Sequence, residues 1–215
     1  LVGSEMCIRD RRIMHDLKLF GKRPKEKYHS YKGEVGKVAG NIIQRNFKAD
    51  RPLQKWTTDV TQFHFSWGKC YLSPILDMNT NEIISYDLSM IPNLNQIKRM
   101  LNRAFKKFRN LQGLIMHSDQ GWQYQHEYYR SELKKHGIIQ SMSRKGNCYD
   151  NSIMETFFGR MKNEMYYGSE KEYTSFKVFA KAVKEYIHYF NKERIQKKTK
   201  WMPPEIYRET STNAI

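Results

Sequence analysis

Three strand-like runs crowd into the stretch from Trp56 to Ser89, and that crowding constrains the fold more than any other feature. "WTTDVTQFHFS" is rich in β-branched and aromatic residues and alternates in part. "KCYLSPILDMNT" and "EIISYDLS" follow after turn-length breaks at Trp67-Gly68 and Asn79-Thr80-Asn81. Runs joined this closely pair as an antiparallel meander. "NLNQIKRMLNRAFKKFRN" (93–110) then sets Ile97, Leu101 and Phe105 on one apolar stripe, joined by Met100, Ala104 and Phe108, as in an amphipathic helix. A fourth strand "GLIMHS", a short helix "EYYRSELKKHG" stopped by Gly137, and a fifth strand "IIQSMS" come next. The polar loop "RKGNCYDNS" leads to a helix from about Ser152 to Met165. Helical stretches at about 174–194 and 203–209 close the chain, the last opened by Pro203-Pro204. This order predicts an α/β fold. Its mixed five-stranded sheet has three antiparallel strands, then two parallel, flanked by helices. The helix between strands three and four lets the fourth return parallel to the first and beside it. Asp59 and Asp119 then lie on neighbouring strands, roughly 4.8 Å apart.

The net charge of +16 on 215 residues favours a polyanionic partner, above all nucleic acid; a merely basic or ribosome-associated protein is the plainer alternative. Aromatic content of 13% is enough to build a core, and no apolar run is long enough to span a membrane. Cys7, Cys70 and Cys148 are isolated, which argues against a zinc site or disulfide framework and fits a reducing cytosol.

Two carboxylates held on adjacent strands repel each other and desolvate poorly. A divalent cation relieves both costs, and Mg²⁺ takes oxygen ligands from carboxylates, water and phosphate. Two-metal phosphoryl chemistry calls for a third carboxylate. Glu155 is the candidate, in "NSIMETFFGRMKNE", where Glu155, Gly159 and Lys162 share one helical face and Ile153, Phe157, Phe158 and Met161 give the helix an apolar stripe. An exposed helix bearing ordinary surface charges is the competing reading of those residues.

"WTTDVTQF", "MHSDQGWQY", "GNCYDNSIMETFFGRMKNE" and "YFNKERIQKKTKWMPPEIYR" together resemble the OrfB transposases of the IS-three family of bacterial insertion sequences. That family sits with retroviral integrases in the ribonuclease H-like superfamily, and the resemblance covers about residues 12–208. Its mark is an Asp-Asp-Glu triad with thirty-five residues between the last two acids, the spacing of Asp119 and Glu155 here. The resemblance implies that Asp59, Asp119 and Glu155 are catalytic and hold two Mg²⁺ ions, with Mn²⁺ as a substitute. It implies cleavage at element ends and strand transfer through a circular intermediate. Lys162 matches the basic residue seven positions beyond the Glu, and Asn151 the "DN" that positions the helix or DNA. Lys98, Arg99, Lys106 and Lys107 are further candidates for holding phosphates. The partners implied are transposon ends and target DNA, other copies of the chain, and an upstream-frame product or fusion, in a bacterial cytoplasm at the nucleoid. A ribonuclease H-like nuclease acting on RNA–DNA hybrids and a non-catalytic DNA-binding remnant are the rival readings.

Residues 1–11 resemble a translated adapter string and are set aside. Residues 12–50 are expected to hold the remnant of a helix-turn-helix-like region, with Ile13, Leu17 and Phe20 at helical spacing, plus a basic linker. The catalytic core is expected over 51–167 and its C-terminal helical part over 168–215. Asp77 reads as a turn former or a fourth ligand, and Asp87 as a solvent-face residue. Asp150, Asn151 or Ser152 is the expected cap of the Glu155 helix. His117 either orients Asp119 or packs, and Trp122 and Tyr124 either stack on bases or pack.

Overall fold

The computed structural model describes residues 9–10, 12–19 and 37–212. The chain divides into two units, 1–31 and 32–215. In the first, residues 12–16 are helical and Ile13 and Leu17 are exposed; Phe20 lies outside the described residues.

The second unit holds strands β1 (Lys55–Thr58), β2 (Thr61–Phe65), β3 (Gly68–Asp77), β4 (Ile83–Ser89), β5 (Ile115–Ser118) and β6 (Ile139–Met142). Its helices are α1 (Leu94–Lys107), α2 (Trp122–Gln125), α3 (Glu127–Lys135), α4 (Ser152–Met165), α5 (Phe176–Lys192) and α6 (Pro204–Thr212). The sheet has six strands where five were expected, because the first run is interrupted. Thr58 faces Ile75 and Thr61 faces Leu72 across β3, so β1 and β2 keep one register and form two halves of a single strand. Asp59 and Val60 in the gap stand opposite Pro74 and Ser73. Pro74 has no N–H to give, so the ladder lapses there. The meander β1/β2–β3–β4 is antiparallel, and β5 and β6 add parallel on the far side of β1.

Strand alternation sorts the side chains into two cores. Ile75 and Ile84 join Trp56 and the apolar stripe of α1, with Tyr124, Tyr129 and Leu133, on one face. Cys70, Leu72, Leu76 and Ile83 face the other way, onto Met154, Phe157 and Met161 of α4 and Phe179, Val183 and Phe190 of α5. Asn93 caps α1, its side chain accepting from Gln96 N at 3.2 Å.

The C-terminal helices are tied to the edge strand β4. The Asn191 amide accepts from Ile83 N and donates to Ile83 O, each at 2.9 Å, supplying the pairing a further strand would give. Glu82 is fully buried and takes Lys107 Nζ of α1 and Arg208 Nε of α6, each at 2.6 Å. Arg208→Ala removes one of these charge-assisted bonds from a buried carboxylate. It is expected to cost about 1–3 kcal/mol, a melting-temperature fall of roughly 3–10 °C for a chain of this size; thermal denaturation followed by circular dichroism checks it. Among the described residues no helix is long and apolar enough to cross a membrane.

Candidate active site

The β1–β5 pairing sets Lys55 beside Ile115, Trp56 beside Met116 and Thr57 beside His117. Carried two residues on, the same register places Asp59 beside Asp119, each just past the paired end of its strand. Backbone N–H groups turn both carboxylates. Val60 N donates to Asp59 Oδ1 at 2.7 Å, and Gly121 N donates to Asp119 Oδ1 at 2.9 Å. Gly121 leaves room for this: a Cβ there would lie 3.0 Å from Asp119 Oδ1 and 2.6 Å from Gln123 Nε2.

Burial and then the charge of Asp119 hold Asp59 well above the ordinary carboxylate range, and Glu155 adds to the push; the bonds from Val60 and Asn151 oppose it. Burial raises Asp119 as well, against the Gly121 bond. Both residues are nonetheless only half-buried, so water reaches the pair. Glu155 stands on the first turn of α4, exposed, its carboxyl raised by desolvation. Among the described residues, no three His, Cys, Asp or Glu side chains are close enough to hold a metal ion as they stand. The two aspartates are adjacent by register; Glu155 reaches Asp59 through its field rather than by contact.

A 3₁₀ turn, Cys148–Asn151, brings α4 to this end of the sheet. His117 is fully buried, with Nε2 2.9 Å from Asp150 O and Nδ1 2.9 Å from Ser141 Oγ. A carbonyl only accepts, so Nε2 carries the proton; burial keeps the ring neutral, and Nδ1 accepts from Ser141. Ser141 Oγ also accepts from Ile42 N at 3.0 Å and Ile43 N at 3.4 Å. His117 thus fastens β5 to β6 and to the turn before α4, and both its ring nitrogens are bonded there rather than to Asp119.

Asp150 is a fastening of the same kind and caps nothing. Its carboxylate accepts from Asn41 Nδ2, Arg45 Nε, and Arg144 N, Nε and Nη2, all between 2.9 and 3.0 Å. The helix it precedes has no side-chain cap bond, contrary to the expected one. Asp77 is the turn former: Oδ1 accepts from Asn79 N and Thr80 N, and Oδ2 from Leu53 N and Trp56 Nε1. Asp87 corrects the solvent-face expectation, being buried and paired with Arg99 at 2.7 Å and Arg103 at 2.9 Å. Tyr124 is fully buried, so it packs and does not stack on bases. Its hydroxyl lies 3.4 Å from Thr58 Oγ1, which donates to Pro74 O, so Tyr124 is the donor to Thr58 beneath the two aspartates. Trp122 stays 39% exposed.

The basic candidates divide. Arg99 is committed to Asp87 and Lys107 to Glu82. Lys98 Nζ lies 4.4 Å from the Tyr128 ring centroid and Lys162 Nζ 5.3 Å from that of Phe63, while Lys106 is exposed.

Residues 49–148 and 155–211 each match a family described as an integrase core domain. An uncharacterized transposase-like protein of Haemophilus influenzae is 53% identical over 94% of this chain and 92% of its own length. A putative transposase InsK for insertion sequence element IS150 of Escherichia coli is 48% identical over 92% of this chain and 69% of its own length. Among solved structures, the HTLV-2 integrase catalytic core domain in complex with magnesium superposes with a TM-score of 0.59. It is 14% identical, over 74% of this chain and 99% of that one, a likeness of fold.

Proposed function

Because this chain belongs to the insertion-sequence transposases with a ribonuclease H-like integrase core, we propose that Asp59, Asp119 and Glu155 form the centre where it cuts and joins DNA. The observation that carries this reading is the strand register, which sets two half-buried aspartates side by side. Among the described residues neither carboxylate takes part in an ion pair that would offset their mutual repulsion.

The donor set fits Mg²⁺, with Mn²⁺ as a substitute: all oxygen, two carboxylates adjacent, and Gly121 setting no Cβ against Asp119 Oδ1. Asp59 and Asp119 would hold the ions, and Glu155 would complete the set from the helix. A divalent cation bound there supplies charge neutralisation and Lewis acidity toward phosphate oxygens. The protein's own part is orientation. Val60 and Gly121 fix one oxygen of each aspartate, and the His117 and Asp150 fastenings fix the base of α4. In cleavage the oxygen of water bonds to phosphorus and a 3′-oxygen leaves. In joining, the 3′-hydroxyl so made attacks a target phosphodiester and the target's 3′-oxygen leaves.

The substrates in this reading are element ends and target DNA, held in part by Lys98, Lys106 and Lys162, with more than one copy of the chain in the working complex. Residues 51–167 form the catalytic core, 168–215 its helical completion and 12–50 a basic lead-in. Purified full chain is expected to nick DNA carrying an element end in Mg²⁺ and to stop in excess chelator. A gel assay of labelled strands, with an RNA–DNA hybrid in parallel, tests this. Nicking that persists in chelator, or cleavage confined to the hybrid, would contradict it.

A further inference from the structure

Asn151 holds the position of an N-cap on α4, where an Asn ordinarily accepts from the backbone of the first turn. Its side chain makes no such bond. It is turned toward the sheet, where Thr57 Oγ1 lies 2.9 Å from Oδ1 and Asp59 Oδ2 lies 3.1 Å from Nδ2. Residues two apart on a strand share a face, so Thr57 and Asp59 present themselves to Asn151 together. The amide has one orientation that works. When it holds a cation Asp59 is ionised and only accepts, so Nδ2 then faces Asp59, which leaves Oδ1 for the Thr57 hydroxyl to donate to. Both Asn151 and Thr57 are buried.

The backbone beneath Asn151 is fixed independently. Asp150 O lies 2.9 Å from His117 Nε2, and the Asp150 side chain is held by Arg144, Arg45 and Asn41. Asn41 and Arg45 come from the segment ahead of the sheet. The amide is therefore presented to Asp59 from a base braced on three sides: by β5, by the loop, and by the incoming chain.

We propose that Asn151 is a positioning residue for the metal centre, orienting the first carboxylate, Asp59, through a Thr57–Asn151–Asp59 chain of hydrogen bonds, and is not a DNA contact. This rests on Asp59 being a metal-holding group. One Asp59 oxygen is turned by Val60 N and the other by Asn151, so the pair sets the carboxylate plane before any cation arrives. It also ties the helix bearing Glu155 directly to the strand bearing Asp59.

Mn²⁺ binding to the full chain, followed by loss of the free-ion electron paramagnetic resonance signal, reads this without any reaction. Asn151→Ala is expected to weaken Mn²⁺ binding about tenfold or more, the usual size of an outer-shell loss. Thr57→Val, which keeps the side-chain shape and touches neither metal nor DNA, is expected to weaken it several-fold in the same direction. Fluorescence anisotropy in chelator should show DNA affinity unchanged in both. Parental Mn²⁺ affinity in both variants would overturn the inference, as would weakened DNA binding with unaltered Mn²⁺ affinity. Should Asn151→Ala fail to fold, Thr57→Val decides alone. Asp59→Asn is the companion control: if it too binds Mn²⁺ as the parent does, the metal centre itself is misplaced, a failure separate from that of Asn151.

Discussion

Asp119→Asn is expected to lower Mg²⁺-dependent cleavage and joining by about a thousandfold or more, with fold and salt-sensitive DNA binding retained. The substitution is nearly isosteric, and its side-chain oxygen can still accept from Gly121 N, so the turn after β5 stays in place. What disappears is a charge. Losing a charged ligand removes several kcal/mol of transition-state stabilisation, and each 1.4 kcal/mol is tenfold in rate. The same change should stabilise the protein in chelator. Asp119 is raised in the folded state, so the fold binds its proton more tightly than the unfolded chain does. Stability then falls as pH rises from the unfolded value near 3.9 through the raised one. Asn has no proton to lose, and Asp59 is relieved of its neighbour's charge. A variant with parental cleavage rates and parental melting in chelator would remove Asp119 from the centre.

Asp150→Asn carries the second large effect, on stability. The carboxylate is fully buried and accepts from Arg144, Arg45 and Asn41. Arg144's bonds lead in holding it well below the usual carboxylate range, with burial opposing and Arg45 assisting. Asn presents a donor toward these guanidinium groups and loses the charge. The expected cost is on the order of 2–4 kcal/mol, reduced from the full penalty because the Arg45 and Arg144 side chains are 48% and 58% exposed. That is a fall of roughly 5–15 °C in melting temperature. The pH sign follows from a depressed value. The stabilisation is fully present above the unfolded value near 3.9 and is lost as pH falls toward the lower folded one. Thermal melts between pH 2 and 7 should show the parent losing more stability than the variant below about pH 4. Superimposed acid limbs would show that Asp150 is not the group responsible. Activity should fall with stability, since Asp150 underlies Asn151 and the start of α4.

The strand and helix order could be read from the sequence because it is written in local periodicity. The runs at 56–66, 69–80 and 82–89 and the stripe through Ile97, Leu101 and Phe105 each carry their own signal. The break at Asp59 has its cause in the sequence, since Pro74 stands opposite it, but only the β1–β3 register makes that proline matter. Asp59 and Asp119 were paired correctly because the α1 crossover forces β5 beside β1. Glu155 came from the family spacing; nothing local separates it from a surface glutamate. What stayed hidden were the partners of charged groups. Asp87 looked solvent-facing because Arg99 and Arg103 lie on the next helix, and Asp150 looked like a cap because Arg45 lies 105 residues away. Hydrophobic pattern does not encode such pairings. Arg99 and Lys107 looked like phosphate contacts for the same reason.

The most direct measurement is anomalous diffraction from crystals of the full chain grown with Mn²⁺. The strongest anomalous peak is expected within coordination distance of carboxylate oxygens from both Asp59 and Asp119. With DNA bound, Glu155 should turn toward it. A strongest peak elsewhere on the protein, with these two carboxylates left unligated, would contradict the assignment of the centre.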